Sequence, residues 1–247
     1  DWICRRRSPA PHPEDMTDPR ANEQFPTVQP SDAHRPQTRA VHPSVETPAG
    51  SRPLGVPIYQ GHLFAFDDAD ALAAAFDGPG APYMYGRIGN PTVTAFENAA
   101  AELEGGAGAY ATASGMGAIS AVLLALLRTG DHVIAQSCLY GGTWALLRDL
   151  RERWGVEVSE VSGDDPDEVR AALRPTTRLL YLETIANPMT QVADIPALAA
   201  VAREAGVITV VDNTFAPLLC RPLDLGADIV VHSATKYMCG HGDVVGG

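Results

Sequence analysis

The segment Val230–Tyr237 reads Val-Val-His-Ser-Ala-Thr-Lys-Tyr, an apolar run that ends in hydroxyl side chains and Lys236. A second apolar run, Val-Ile-Thr-Val-Val, covers residues 207–211 and ends at Asp212. A lysine amine can form an imine with an aldehyde, and a carboxylate can hold a pyridine nitrogen protonated. The two residues together indicate the chemistry that pyridoxal phosphate (PLP) supports.

From residue 107 onward, apolar runs alternate with segments of helical periodicity. Strands separated by helices indicate a parallel sheet with helices on its faces. Ligands of such sheets lie beyond the carboxyl ends of the strands. Ser114, Asp212 and Lys236 all follow predicted strands, so we expect them at one edge of the sheet. Strands are predicted over 107–112, 132–136, 156–161, 179–183, 207–211 and 228–232, and helices over 115–127, 143–153, 166–173 and 195–205.

The first 50 residues differ in composition from the rest of the chain. Nine of the 20 prolines lie there, and no periodicity of two or 3.6 residues is seen. This composition is typical of a disordered or extended arm, although the last ten residues or so could instead dock on a partner subunit. We divide the chain into this arm (1–50), a following segment (51–105) and a main domain (106–247).

Composition limits the possible classes of function. The formal net charge of −12 argues against a nucleic-acid-binding surface, which needs a basic footprint. No apolar run approaches the roughly 20 residues that span a bilayer, and no apolar stretch follows the arginines at 5–7, as a signal peptide would require. The four cysteines show neither a Cys-x-x-Cys motif nor a metal-ligand spacing. These features are typical of a cytoplasmic enzyme that uses no metal.

The segment Thr112–Gly117, Thr-Ala-Ser-Gly-Met-Gly, joins a predicted strand to a helix. Small residues let backbone N–H groups approach an anion, and the dipole at a helix N-terminus favours one. The segment lacks the Lys-Ser/Thr ending of a P-loop. By itself the segment is better explained as an ordinary tight turn with a glycine hinge. The glycine-rich turns leave a nucleotide-binding Rossmann protein open as an alternative.

Six short motifs resemble, in order, those of the PLP-dependent enzymes of cysteine and methionine metabolism, also called the transsulfuration or cystathionine γ-synthase family. Each string is short enough to arise by chance, but all six in this order are specific. The motifs are YGRIGNPT (85–92), SGM (114–116), LYGGT (139–143), ETIANP (183–188), DNT (212–214) and HSATKY (232–237).

The resemblance implies PLP fold-type I, in which the major domain is a mainly parallel sheet flanked by helices, here preceded by an extended N-terminal arm. It implies that Lys236 holds the cofactor covalently, that Asp212 pairs with the pyridine nitrogen and that Tyr140 stacks on the ring, the three with catalytic roles. The implied cofactor-binding residues are Tyr85, Arg87, Ser114, Gly115, Met116, Tyr140, Asn187, Asp212, Ser233, Thr235 and Lys236.

The resemblance also implies a reaction and partners. The reaction is γ-elimination or γ-replacement on a sulfur amino acid or an O-acyl-homoserine, as in cystathionine γ-synthase or γ-lyase. Through Tyr85 and Arg87, the 51–105 segment would contact a neighbouring subunit and reach its cofactor phosphate. A homodimer or homotetramer with shared sites is therefore expected, with no nucleic-acid or membrane partner. O-acylhomoserine sulfhydrylase and methionine γ-lyase are alternatives. Gly142 stands where methionine-degrading lyases of the family carry a cysteine, which disfavours the latter.

Family members continue into a smaller C-terminal domain, whose arginine grips the α-carboxylate of the substrate. The chain begins at Asp1 rather than Met and ends on Val-Val-Gly-Gly. We therefore expect a chain truncated before that domain. A catalytically inactive fragment that binds PLP or a partner subunit is the alternative from another class of function.

Overall fold

The structure is a computed structural model that describes residues 55–78 and 80–247. The arm expected over 1–50 lies outside these residues, and the divisions at residues 50 and 105 stay predictions. Residues Gly55–Tyr59 belong to a different compact unit from Gln60–Gly247, and the sheet lies in the latter. Within the described ranges, no helix is both long and apolar enough to cross a membrane.

Five strands and six helices form the described part of the chain. The strands are β1 (His132–Gln136), β2 (Glu157–Val161), β3 (Thr177–Glu183), β4 (Ile208–Asp212) and β5 (Ile229–Val231). The helices are α1 (Ala69–Ala74), α2 (Pro91–Glu104), α3 (Gly115–Leu126), α4 (Gly141–Trp154), α5 (Pro166–Ala172) and α6 (Ile195–Glu204). The predicted elements from residue 115 onward are therefore confirmed, with ends that differ by at most two residues.

The strands form one sheet in the order β2-β1-β3-β4-β5, and every neighbouring pair is parallel. The chain runs outward from β1 to β2 and then returns to place β3 on the other side of β1. The crevice at the carboxyl ends of β1 and β3 is thus a topological switch point, where ligands of open α/β sheets bind. The expected parallel sheet flanked by helices is confirmed.

Helices cover both faces of the sheet. Successive residues of a strand point to opposite faces, so each strand packs against helices on both sides. On one face, Leu179 and Tyr181 of β3 pack with residues of α3 and α4. On the other face, Leu180 and Leu182 of the same strand pack with residues of α5 and α6. All four side chains are fully buried. Burial on both sides explains why these strands are continuous apolar runs rather than alternating ones.

The strand predicted over 107–112 is not formed. This segment is irregular in the structure, and only Thr112 makes strand-like contacts, through a pair of hydrogen bonds with Gly247 (2.7 and 3.0 Å). A single pair of this kind does not make a ladder, and a segment rich in alanine and glycine has little side-chain packing to favour a strand.

Helix α2 was not predicted, although its ends carry recognisable signals. The Asn90 side chain caps the helix by accepting a hydrogen bond from the Thr92 N–H at 2.9 Å, and Pro91 occupies the first turn. Gly105 ends the helix with a φ of 70°, a left-handed conformation that glycine adopts without strain.

Candidate active site

A cavity of about 680 Å³ lies at the carboxyl edge of the sheet. It meets the switch-point crevice, because residues that end β3 and residues that follow β1 both line it. The structure brings most of the predicted site residues together here, and only Tyr85 and Arg87 lie elsewhere. The predicted residues that line the cavity are Ser114, Gly115, Met116, Tyr140, Asn187, Asp212, Ser233, Thr235 and Lys236.

The N-terminus of α3 faces this cavity. Ser114 caps the helix, and its Oγ accepts a hydrogen bond from the Gly117 N–H at 3.1 Å. Among the described residues, the N–H groups of Gly115 and Met116 have no hydrogen-bond partner, as expected at the first turn of a helix. The helix end therefore presents free donors and a favourable dipole to an anion in the cavity.

Gly115 permits close contact between α3 and the loop that follows β5. A Cβ at this position would lie 2.6 Å from the Cβ of Ser233 and 2.8 Å from its Cα, closer than van der Waals contact allows. The absence of a side chain thus brings the Ser233 hydroxyl up to the free N–H groups of the helix. Two kinds of donor suited to phosphate oxygens converge at this point.

Asp212 is the last residue of β4, and it is 8% exposed. Burial raises the pKa of the Asp212 carboxyl, and the hydrogen bonds from Thr214 and the charge of His232 oppose this rise. The Thr214 N–H donates to Asp212 Oδ1 at 2.9 Å, and the Thr214 hydroxyl oxygen accepts from the Ser233 N–H at 2.8 Å. Thr214 therefore couples the carboxylate to the loop that carries Lys236, a function that the sequence did not reveal.

Lys236 lies on a turn five residues beyond β5, at the wall of the cavity. Its side chain is exposed, whereas a position at the end of a buried strand would have desolvated the amine. The strand ends at Val231, and the intervening residues carry the chain out of the sheet. Ser233 and Thr235 line the same cavity. Tyr237 and Phe215 also line it, and their rings pack edge-on with centroids 5.6 Å apart.

Glu183 ends β3 and lies beside Asp212 in the register of the sheet. Its Oε1 accepts a hydrogen bond from the Tyr140 N–H at 2.7 Å, and its Oε2 accepts one from the Asn187 N–H at 3.0 Å. Burial raises the pKa of the Glu183 carboxyl to about 7, against the effect of these two backbone hydrogen bonds, while the nearby Asp212 raises it further.

Glu183 belongs to one of the six family motifs but was not among the residues predicted for the site. The carboxylate joins the segment after β1 to the segment after β3, so it bridges the switch-point crevice. Its signal in the sequence was the same as that of Asp212, namely an acidic residue at the carboxyl end of an apolar strand.

Tyr140 precedes α4, and 44% of its surface is exposed towards the cavity and solvent. Its ring lies over Gly142, where a Cβ would be 2.5 Å from Tyr140 Cε1 and 2.9 Å from Met116 Sδ. A larger residue at 142 would thus displace the ring. The exposed face is available for stacking on a planar ligand.

Tyr85 and Arg87 do not line the cavity. The Arg87 guanidinium lies 5.2 Å from the centre of the Tyr85 ring, and the Tyr85 ring packs edge-on against His62. Gly86 lets this segment approach His62, because a Cβ there would lie 3.2 Å from the His62 Cα. The contribution of Tyr85 and Arg87 to a neighbouring subunit's site stays a prediction.

The cavity residues fit PLP in three respects. The free N–H groups of α3 and the Ser233 hydroxyl suit a phosphate, the buried Asp212 carboxylate suits a protonated pyridine nitrogen, and Lys236 supplies an amine for an aldehyde. Among the described residues, no cluster of acidic, histidine or cysteine side chains could hold a metal ion.

A parallel sheet with these groups at its carboxyl edge defines an α/β protein of PLP fold-type I. The chain belongs to the family of Cys/Met metabolism PLP-dependent enzymes, whose model matches residues 37–247. This match confirms the family and the cofactor that the sequence motifs predicted, and it excludes the alternative of a nucleotide-binding Rossmann protein.

Similar proteins carry several activities of the family. The chain is 48% identical over 213 residues to the L-methionine gamma-lyase of Porphyromonas gingivalis, covering 85% of this chain and 53% of that protein. It is 44% identical over 213 residues to the cystathionine gamma-synthase of Mycobacterium tuberculosis, covering 86% and 53%. Both comparisons show that the chain spans about half the length of these curated relatives.

The crystal structure of a Campylobacter jejuni protein assigned as an O-acetylhomoserine (thiol)-lyase matches this chain with a TM-score of 0.74 at 34% identity. The match covers 79% of this chain and 48% of that one. That protein carries N'-pyridoxyl-lysine-5'-monophosphate, in which the cofactor is attached to a lysine.

Proposed function

We propose that this chain forms the PLP-binding half of an active site for γ-elimination or γ-replacement on sulfur amino acids or O-acyl-homoserine. The observation that carries the proposal is the convergence of Lys236, Asp212 and the α3 N-terminus on one cavity. Lys236 is the only lysine in the 247-residue sequence, so no other side-chain amine competes for the role. The names of the relatives include both a lyase and a synthase, as expected if one set of residues serves both reactions.

When bound, PLP supplies an electron sink for negative charge at the α carbon of an amino acid. Asp212 would keep the pyridine nitrogen protonated, and its burial would strengthen that ion pair. The Lys236 amine moves protons at the α and β carbons of the substrate, as general base and then general acid. The Tyr140 ring would stack on the cofactor, and its phenol would carry a proton within the cavity. Asn187 lines the same cavity and would contact the ring hydroxyl.

Two substrate classes compete. The identity to the Porphyromonas gingivalis protein favours an L-methionine lyase. Gly142 favours cystathionine or O-acyl-homoserine chemistry, because the resemblance places a cysteine at this position in the methionine-degrading lyases of the family. A side chain at 142 would also contact the Tyr140 ring. Turnover assays of the purified chain with methionine, with cystathionine, and with O-succinyl-homoserine plus cysteine decide between them. Elimination gives a 2-oxo acid, and replacement of succinate by the cysteine thiol gives a thioether.

The cofactor site is tested by incubating the chain with PLP, reducing with borohydride and mapping the labelled peptide. Label on the peptide that contains Lys236, and its loss in Lys236→Ala, is the expected result. Because the sequence holds no other lysine, any label that remains in the variant must lie on the α-amino terminus or be non-covalent. A wild-type chain without label on Lys236 would remove the basis of the proposal.

The same experiments distinguish an active chain from the alternative, a chain that binds PLP or a partner subunit without turnover. Label on Lys236 with no product from any of the three substrates would support it, whereas measurable product would exclude it. The homo-oligomeric assembly and the cytoplasmic location expected from the sequence stay predictions, and size measurement in solution tests the first.

A further inference from the structure

Glu104 is a buried carboxylate at the last position of α2, and it is 7% exposed. Its location is unfavourable in isolation, because burial penalises a charge and the C-terminal end of a helix dipole repels a negative one. Such a residue persists in a fold only where specific partners compensate for both costs. Its partners lie on the two loops that carry the predicted chemistry.

The first partner is His232, whose Nε2 lies 2.6 Å from Glu104 Oε1. A carboxylate only accepts hydrogen bonds, so Nε2 is the donor. His232 directly follows β5 and directly precedes Ser233, which lines the cavity. Glu104 therefore holds the start of the loop that leads to Lys236.

The second partner is Asn213, whose Nδ2 donates to the same Oε1 at 2.9 Å. Asn213 follows Asp212 and is fully buried, and its Oδ1 accepts from the Thr184 hydroxyl at 2.8 Å. One carboxylate oxygen of Glu104 thus receives a donor from the loop after β4 and a donor from the loop after β5.

The network is incompletely satisfied, which argues against a purely stabilising role. Glu104 Oε2 and His232 Nδ1 are buried and have no hydrogen-bond partner among the described residues. Apolar side chains of similar volume commonly stabilise a core as well as, or better than, a buried polar pair of this kind. The pair is better explained by the geometry that it imposes than by the stability that it adds.

We propose that Glu104 is a positioning residue. It fixes the loop after β4, which begins beside Asp212, relative to the loop after β5, which carries Lys236. The proposal deepens the proposed function, since it assigns an orienting role within the same PLP site. It also gives the 51–105 segment a contribution within its own chain, independent of the contact with a neighbouring subunit that we expect for Tyr85 and Arg87.

The test compares Glu104→Leu with Glu102→Leu. Glu102 lies two residues earlier on the same helix and is exposed, so the control makes the same chemical change without touching the loops. We expect Glu104→Leu to weaken PLP binding on the order of ten-fold, as for other residues that orient the ligands of a bound group, and to reduce the visible circular dichroism of the bound cofactor. Glu102→Leu should match the wild type, and Glu104→Gln, which keeps the acceptor oxygen, should recover most of the binding.

A second readout needs no cofactor. The Asn213 N–H donates to the Val231 carbonyl at 2.9 Å, and the Ser233 N–H donates to Thr214 Oγ1 at 2.8 Å. In cofactor-free Glu104→Leu, we expect both amides to exchange with solvent faster while the amides of β1 and β3 keep their protection. A uniform change across the sheet would show a merely structural role and would overturn the proposal.

If Glu104→Leu does not fold, His232→Leu is used instead, because it removes the hydrogen bond from His232 to Glu104 and keeps the one from Asn213. Faster exchange at Ser233 with protection kept at Asn213 is then expected, and unchanged exchange at Ser233 would overturn the proposal. A wild-type chain that takes up no PLP would remove the proposed function, whereas the exchange measurements would still decide the role of Glu104.

Discussion

The Glu183 carboxylate accepts a hydrogen bond from the backbone N–H of Tyr140 at 2.7 Å and so crosses the crevice between the carboxyl ends of β1 and β3. The residues are 43 positions apart in the sequence. The bond orders the segment whose aromatic ring faces the cavity, and the second oxygen of the same carboxylate orders the segment that carries Asn187. The two walls of the candidate site are thus joined by one ionisable group.

Replacement of Glu183 should change how stability depends on pH. A carboxyl whose pKa rises from 4.5 to about 7 on folding binds its proton more tightly in the folded state. The free energy of unfolding therefore falls as the pH rises from 4.5 to 7, and the loss, on the order of 3 kcal/mol, persists above pH 7. Glu183→Gln cannot ionise, so the decline should be smaller in chemical denaturation measured across this range.

The comparison isolates Glu183 because the other shifted groups remain in both proteins. Burial raises the pKa of Asp212 and acts with the same sign, whereas burial lowers the pKa of His132 and destabilises the fold towards acid pH. Glu160→Gln, at an exposed carboxylate on β2, is the matched control and should leave the slope unchanged. Equal slopes in Glu183→Gln and the wild type would contradict the prediction.

Asp212→Asn should weaken cofactor binding and stabilise the cofactor-free protein. The amide keeps an oxygen for the Thr214 N–H but cannot pair with a protonated pyridine nitrogen, so we expect the Kd for PLP to rise by about ten- to one-hundred-fold. At neutral pH the cofactor-free variant avoids the cost of a buried charge, so its Tm should increase. Titration with PLP and thermal unfolding measure the two effects, and a Kd equal to that of the wild type would exclude Asp212 from the site.

Gly115→Ala should disturb the phosphate end of the cavity. The new methyl group would meet Ser233 at 2.6 Å, and we expect a loss of about 1–3 kcal/mol in stability together with weaker PLP binding. Gly141→Ala is the matched control, because Gly141 is likewise the first residue of a helix and a Cβ there meets nothing within 4 Å. Denaturation and PLP titration of the two variants should differ, and similar behaviour would argue against close packing at Ser233.

Mixing two variants tests whether Arg87 acts in a neighbouring subunit. Arg87→Ala keeps Lys236 but lacks the guanidinium, and Lys236→Ala keeps the guanidinium but cannot be labelled. In a mixed dimer with shared sites, one site has both groups intact. Borohydride labelling of Lys236 in Arg87→Ala should therefore rise when Lys236→Ala is added during refolding. No increase, despite the formation of mixed dimers, would place Arg87 outside the partner's site.

The sequence predicted the sheet and its carboxyl edge well for a local reason. Strands buried on both faces need uninterrupted apolar residues, as in β3 and β4. The helices that connect the strands begin and end at recognisable residues, such as Pro166 at the start of α5 and Gly155 at the end of α4. The motifs that identify the family are also local, because each contributes a short loop at one end of one element. The segment over 107–112 was predicted wrongly because apolar composition alone does not supply a strand partner.

The sequence by itself determined the class of fold, the family, the cofactor and the candidate residues, since each of these depends on short-range pattern and residue type. Only the tertiary structure decided which residues orient them. Glu104 lies 128 positions from His232, and no local pattern connects the two. Whether Lys236 is exposed and whether Glu183 bridges two loops depend likewise on how distant segments pack, because burial and hydrogen-bond partners are properties of the assembled sheet rather than of any one segment.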